Sequence, residues 1–170
     1  MTLVLGGAAS GKSVFAETLI EAGFGTRWDD ATYLATATAG DDEMATKIQR
    51  HRIRRGLRWT TVEEPLTLVT VLTEHAHADR PILIDCLTLW LTNLLLANQD
   101  LESEIETLAG TLATLPGPTV LVSNEVGGGI VPENTLARRF RNAAGHMNQL
   151  IASVADRVYL VTAGFPQILK

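Results

Sequence analysis

The stretch Gly6-Gly7-Ala8-Ala9-Ser10-Gly11-Lys12-Ser13 decides the fold that this sequence predicts. It fits the pattern of glycine, any four residues, then Gly-Lys-Ser, which is typical of a loop that binds nucleotide phosphates. An apolar strand pattern, Thr2–Leu5, enters the loop, and an amphipathic helical pattern leaves it. Such a loop points its backbone N–H groups at phosphate oxygens, and the start of the helix adds its positive dipole end. The alternative is a glycine-rich turn with an incidental lysine.

Three side chains are candidates for the chemistry of a bound triphosphate. Lys12 would reach the β- and γ-phosphates, and the Ser13 hydroxyl would ligate a Mg²⁺ that bridges them. Asp85 follows the apolar strand pattern Ile82–Ile84, where a phosphate-loop protein needs a carboxylate on the metal side. Asp85 also has the alternative role of capping the helix that follows, and the two roles can coexist.

The length and composition are typical of one soluble domain that spans residues 1–170. The chain has a formal net charge of −5 and one cysteine, which excludes a disulfide framework or a cysteine-based zinc site. We expect Cys86 to be a small buried hydrophobe. The apolar stretch Pro81–Ala97 is interrupted by polar residues, and no export leader is visible, so we expect a cytoplasmic protein without a membrane span. General nucleic-acid binding is not expected of a mildly acidic chain.

Short aliphatic runs alternate with longer segments of helical period along the whole chain. This alternation predicts a mainly parallel sheet flanked by helices, as in phosphate-loop nucleotide-binding folds. The predicted strands are Thr2–Gly6, Ala31–Ala37, Arg58–Val62, Ile82–Asp85, Thr119–Asn124 and Arg157–Thr162. The predicted helices are Lys12–Ala22, Asp42–Arg55, Pro65–His77, Leu87–Ala97, Leu101–Leu115 and Glu133–Ala155.

Two missing motifs narrow the class of nucleotide protein. After the predicted strand at Thr119–Asn124, the chain lacks the Asn-Lys-x-Asp guanine reader of switch GTPases. Asp85 is followed by Cys86-Leu87-Thr88, so the Asp-x-x-Gly pattern of a switch is missing as well. A kinase-like transferase and a nucleotide-binding regulator remain.

A basic segment stands out in this acidic chain, since six of the 14 Lys and Arg residues fall between Lys47 and Arg58. Such a cluster can neutralise a triphosphate, and His51 lies in its middle. Neighbouring cations favour the neutral form of a histidine, which leaves a ring nitrogen free to attack an α-phosphorus. The alternatives are a solvated basic helix face and a partly buried histidine.

Several blocks together resemble one family. They are the loop at residues 6–13, Ile48–Arg52, Asp85–Leu95, Asn124–Asn134 and Leu136–Arg141. In these blocks the chain resembles the bifunctional adenosylcobinamide kinase / adenosylcobinamide-phosphate guanylyltransferase family of cobalamin biosynthesis. The resemblance extends over essentially the whole chain.

The resemblance implies two reactions on one corrinoid, adenosylcobinamide. ATP or GTP phosphorylates its hydroxyl, and GMP from GTP is then attached to that phosphate through a covalent guanylyl-histidine. The family's nucleophile falls on His51, and its members are homotrimers. Its nucleotide-binding positions fall on Gly6, Gly7, Ala8, Ala9, Ser10, Gly11, Lys12, Ser13, Ala35, Thr36, Ala37, Arg52, Ile53, Arg54, Arg55, Glu63 and Asp85.

Two further interpretations concern the ends of predicted strands. Glu63 would accept hydrogen bonds from guanine, although it could instead be an acid at the start of the next helix. Asn124–Gly129 has polar groups and three glycines at the end of a strand, where it would shape the nucleotide or corrinoid cleft; the alternative is a flexible turn before the helix at Pro132. The rival functions are a small-molecule kinase that lacks guanylyl transfer and a regulator that binds GTP without turnover.

Overall fold

A computed structural model describes residues 1–24, 30–37 and 58–170 of the chain. Seven strands of these residues form a single sheet. The strands are β1 (Thr2–Gly6), β2 (Ala31–Ala35), β3 (Trp59–Glu63), β4 (Ile82–Asp85), β5 (Thr119–Asn124), β6 (Arg157–Thr162) and β7 (Phe165–Ile168). The six predicted strands are therefore confirmed, with shifts of one or two residues at the ends of β2 and β3.

The strand order is β3-β2-β4-β5-β1-β6-β7, and every neighbouring pair except β6 with β7 is parallel. The predicted α/β fold with a mainly parallel sheet is confirmed. Sequence analysis missed β7, because its four residues are all exposed and show no buried run. Since parallel strands point the same way, the carboxyl ends of β1 to β6 lie along one edge of the sheet.

The described residues contain five α-helices. They are α1 (Lys12–Phe24), α2 (Leu68–His75), α3 (Leu87–Leu96), α4 (Leu101–Thr114) and α5 (Thr135–Val154). The predicted helix Asp42–Arg55 lies outside the described residues. Within the described ranges, no helix is both long and apolar enough to cross a lipid bilayer.

Two predicted helix starts are wrong by two or three residues. The helix expected from Pro65 begins at Leu68, because the Glu64 side chain accepts the N–H groups of Leu66 and Thr67 and makes a turn before it. The helix expected from Glu133 begins at Thr135. Asn134 caps it by accepting the N–H groups of its first turn.

The two faces of the sheet are covered by different helices. Val4 of β1 packs with Ala16 and Ile20 of α1 in one apolar cluster. Leu3 and Leu5 of the same strand belong to the other cluster, to which α2, α3, α4 and α5 contribute. This alternation follows the two-residue period of a strand. The sheet is thus buried on both faces. Its edge at the carboxyl ends of the strands is where ligands bind in open α/β sheets.

Candidate nucleotide-binding site

The loop between β1 and α1 has the geometry of a phosphate cradle. Gly6 ends the strand, Lys12 begins the helix, and the turn between them uses positive φ angles at Ala9 (55°) and Gly11 (95°). Lys12 is buried, and its Nζ donates to the carbonyl oxygen of Gly7 at 3.0 Å. The lysine is therefore folded over the loop whose backbone it would help to clamp around phosphates.

The strand register brings residues from separate segments to one edge. Ala35 at the end of β2 pairs with Glu63 on one side and with Asp85 on the other. In the next part of the same sheet, Asn124 at the end of β5 pairs with Gly6 at the end of β1. The structure thus places the predicted residues of β1, β2, β3 and β4 along the same edge as the phosphate loop.

Asp85 is held by a residue that sequence analysis did not single out. The Tyr33 hydroxyl donates to Asp85 Oδ2 at 3.0 Å. The capping alternative for Asp85 is wrong, because the N-cap of α3 is Cys86, which makes no side-chain capping bond. Tyr33 orients the carboxylate at the end of β4. Its role depends on the β2–β4 pairing and has no local sequence signal.

Thr36 ties the ends of β2 and β4 together. Its buried hydroxyl donates to the Cys86 carbonyl oxygen at 2.7 Å and accepts the Cys86 N–H at 3.0 Å. Asn93 Nδ2 donates to the carbonyl oxygens of Thr36 and Pro65, at 2.9 and 3.0 Å. Asn93 was also missed as a site residue. Its signals were that it interrupts the apolar stretch Pro81–Ala97 and that it lies in the block Asp85–Leu95.

Cys86 is a buried small side chain, as predicted. Burial raises the pKa of its thiol, and the negative charge of Asp85 raises that pKa further. The thiol therefore stays protonated at neutral pH, which is the inert state of a cysteine.

Glu63 ends β3 with an exposed side chain at the same edge of the sheet. The helix-start role that was its alternative belongs to Glu64. Burial raises the pKa of the Glu64 carboxyl, but the hydrogen bonds from the Leu66 and Thr67 N–H groups outweigh burial, and the pKa is lowered overall.

Some predicted site residues lie outside the described residues, namely His51, Arg52, Ile53, Arg54 and Arg55, together with most of the basic segment. Thr36 and Ala37 are described and follow β2 directly. In residues 1–24, 30–37 and 58–170 there is no cluster of three or more His, Cys, Asp or Glu side chains that would hold a metal by itself.

The turn between β6 and β7 packs against the phosphate loop and is hydrogen-bonded to it. It consists of Ala163 and Gly164, with φ angles of 52° and 83°. The Gly164 N–H donates to the Ser10 carbonyl oxygen at 2.8 Å. A Cβ added to Gly11 would lie 3.2 Å from the Gly164 Cα, so the two glycines pack closely. The unpredicted strand β7 thus has a part in positioning the loop.

A family model described as "Cobinamide kinase / cobinamide phosphate guanyltransferase" matches residues 2–169. The chain belongs to this family. It is 50% identical to the bifunctional adenosylcobalamin biosynthesis protein CobP of Pseudomonas aeruginosa, over 99% of this chain and 96% of that one. It is 42% identical to the bifunctional protein CobU of Salmonella typhimurium, over 100% of this chain and 99% of the relative.

A solved structure supports the fold of this family member. The flagellar accessory protein FlaH from Methanocaldococcus jannaschii superposes with a TM-score of 0.54 at 14% identity, over 99% of this chain and 77% of FlaH. At this identity the similarity concerns the fold alone.

The hairpin turn provides a test of loop support. We predict that Gly164→Ala lowers the free energy of unfolding by about 1 kcal/mol, because a side chain is strained at this positive φ. As the turn relaxes away from Ser10, the Kd of a non-hydrolysable triphosphate should rise by up to about fivefold. Urea unfolding and calorimetric titration measure the two effects.

The matched control is Gly145→Ala in α5, where the added Cβ has no described atom within 4 Å apart from the neighbouring residues and the backbone of its own helix. There the same change should be neutral or slightly stabilising. Unchanged triphosphate affinity in a destabilised Gly164→Ala variant would show that the hairpin does not position the loop.

Proposed function

We propose that this chain phosphorylates adenosylcobinamide with ATP or GTP and then transfers GMP from GTP to the product, giving adenosylcobinamide-GDP and pyrophosphate. The observation that carries the proposal is the family match over residues 2–169, on a chain whose relatives are named as bifunctional in adenosylcobalamin biosynthesis. The phosphate loop at the sheet edge supports the use of a nucleoside triphosphate, which both reactions share.

In the kinase step, the acceptor hydroxyl oxygen forms a bond to the γ-phosphorus and the bond to the nucleoside diphosphate breaks. Backbone N–H groups of residues 6–13 hold the β- and γ-phosphates, and the Lys12 ammonium offsets the charge that develops on the transferring group. The position of Lys12 suits this role, because its ammonium group lies over the loop, where it donates to the Gly7 carbonyl oxygen.

The Ser13 hydroxyl and the Asp85 carboxylate suit Mg²⁺, because both are hard oxygen donors and magnesium takes few protein ligands beside the phosphates. Ser13 lies in the first turn of α1, and Asp85 is oriented by Tyr33 at the end of β4. When bound, the ion neutralises charge on the β- and γ-phosphates.

For guanylyl transfer, we assign the nucleophile to His51. A ring nitrogen forms a bond to the α-phosphorus of GTP, and pyrophosphate leaves. A phosphate oxygen of adenosylcobinamide phosphate then attacks the same phosphorus, and the P–N bond breaks to regenerate the histidine. Arg52, Arg54 and Arg55 would offset the charge of the triphosphate, and Ile53 lies between them in the sequence.

We assign the recognition of the guanine base of GTP to the Glu63 carboxylate. A carboxylate can accept both the N1–H and the amino group of guanine, whereas adenine offers no matching pair of donors. The exposed position of Glu63 at the end of β3, beside Ala35 and two strands from Asp85, supports this assignment.

The working assembly is proposed to be a cytoplasmic homotrimer, in the compartment that holds ATP and GTP. Exposed apolar side chains on and after β7, Phe165, Ile168 and Leu169, offer surface for a subunit contact. Light scattering coupled to size exclusion tests the trimer.

The phosphate-loop assignment is tested by Lys12→Ala. Loss of the fixed cation should lower kinase turnover by about 10²-fold or more and should weaken the use of triphosphate in the transfer step. Turnover of adenosylcobinamide by a folded variant is the measurement. Lys170→Ala, which removes an amine that bonds carbonyls at the end of α5, is the control. Near-normal activity of Lys12→Ala would overturn the assignment.

Base recognition is tested by Glu63→Gln. We expect the preference for GTP over ATP in guanylyl transfer to fall by about tenfold, because the amide cannot accept two hydrogen bonds as a carboxylate does. Competition between the two triphosphates measures the preference. Glu74→Gln on α2 is the matched control. If the preference is unchanged, another group reads the base.

The covalent mechanism is tested by His51→Ala. This variant should still form adenosylcobinamide phosphate but no GDP-linked product, because the kinase step needs no histidine. Wild type incubated with GTP labelled at the α-phosphate should retain label in an acid-labile, alkali-stable bond. Variants of His75, His77 and His146 are the controls. Label that persists in His51→Ala, or that never forms in wild type, would disprove the assignment.

A further inference from the structure

The carboxyl end of β5 carries a side chain to which the proposed reactions assign no role. Asn124 pairs with Gly6, the first residue of the phosphate loop. Its Oδ1 is buried and has no hydrogen-bond partner among the described residues. Buried carboxamide oxygens normally have a partner in folded proteins, so an exception beside a site calls for a physical reason.

The backbone of Asn124 is held firmly although its side-chain oxygen is unpartnered. The Asn124 N–H donates to Thr88 Oγ1 at 2.7 Å, and its carbonyl oxygen accepts from Asn148 Nδ2 at 3.1 Å. Asn148 is itself oriented by Ser123, whose hydroxyl donates to Asn148 Oδ1 at 2.7 Å. Thr88, Ser123 and Asn148 are all buried. Three buried polar side chains thus fix the position of one residue.

The next residue continues this anchoring to the loop. The Glu125 N–H donates to the Gly6 carbonyl oxygen at 3.0 Å. The Gly127 N–H donates to the Glu125 carboxylate, and the Arg141 guanidinium donates to the Gly127 carbonyl oxygen. The segment after β5 is therefore tied down by its own contacts, so the chain is anchored on both sides of the Asn124 side chain.

Strand alternation sets the direction of this carboxamide. The Ser123 side chain bonds Asn148 of α5, so Asn124 faces the opposite side of the sheet. Val122, on the same side as Asn124, packs in the cluster that contains Ala16 and Ile20 of α1. The Asn124 side chain therefore lies on the α1 side of the sheet, and α1 begins inside the phosphate loop. Its strand lies between the strand that ends at Asp85 and the strand that ends at Gly6.

We propose that Asn124 is a further catalytic residue of the kinase step, whose carboxamide accepts the hydrogen bond of the acceptor hydroxyl through Oδ1 and donates to the γ-phosphoryl group through Nδ2. The proposal rests on the proposed kinase function. The hydroxyl oxygen forms a bond to the γ-phosphorus, the bond to the leaving diphosphate breaks, and the hydroxyl proton is released to solvent. The carboxamide neither gains nor loses a proton.

The chemistry of the side chain suits this place. A carboxamide offers a donor and an acceptor without charge, so it can contact both reactants at once. A carboxylate at the same position would repel the γ-phosphoryl group. Because its backbone is already fixed by Thr88 and Asn148, a rotation of the side chain is the one change needed to turn the buried Oδ1 toward the hydroxyl and align it with the phosphorus.

The test compares Asn124→Ala and Asn124→Asp with wild type in adenosylcobinamide phosphorylation. Both variants keep the backbone hydrogen bonds to Thr88 and Asn148. We expect kcat to fall by about 10²-fold with the KM for ATP changed by less than about threefold, because the contacts form with the reacting groups. Melting temperatures should change little. Asn142→Ala, at an exposed position of α5, is the matched control and should equal wild type.

Each other outcome overturns a specific statement. Wild-type kcat in both Asn124 variants disproves the role of the carboxamide and leaves the proposed function standing. A fall in kcat that is matched by a fall in melting temperature in both variants, or by a proportional rise in KM, assigns Asn124 a structural role instead. Absence of adenosylcobinamide phosphorylation in wild type overturns the proposed function, and with it the acceptor named here.

Discussion

The site depends on β1 being hydrogen-bonded along both of its edges. Each residue from Thr2 to Gly6 pairs with β5 on one side and with β6 on the other. Backbone groups in a buried strand must be paired, so the strand cannot shift without breaking two ladders. Gly6 is therefore a fixed starting point for the phosphate loop, and the register of β5 places Asn124 beside it.

Beyond the last ladder pairs, polar side chains replace the strands as partners of backbone groups. Thr36 and Asn93 satisfy backbone groups at the ends of β2 and β4, and Thr88 and Asn148 do the same at the end of β5. Unpaired backbone groups in these positions would be costly, and paired ones make the edge rigid. A rigid edge suits phosphoryl transfer, whose catalysis consists mainly of positioning and charge compensation.

Lys12 shows how the fold accommodates a buried positive charge beside the phosphate loop. The side chain is buried, and its ammonium donates to the Gly7 carbonyl oxygen. Burying a cation is costly unless anions or polar groups surround it. The hairpin turn at Gly164 and the pairing at Gly6 hold the loop that carries Lys12 from two sides.

The sequence by itself determined the phosphate loop, six of the seven strands, and the family, because these depend on local patterns and contiguous motifs. It also predicted Asp85, which ends an apolar run. Only the tertiary structure decided that β7 exists, since an exposed edge strand has no buried period. It alone assigned partners to Tyr33, Asn93 and Asn124. Their roles arise from strand register and from helices packed across the sheet, which bring together residues far apart in the chain.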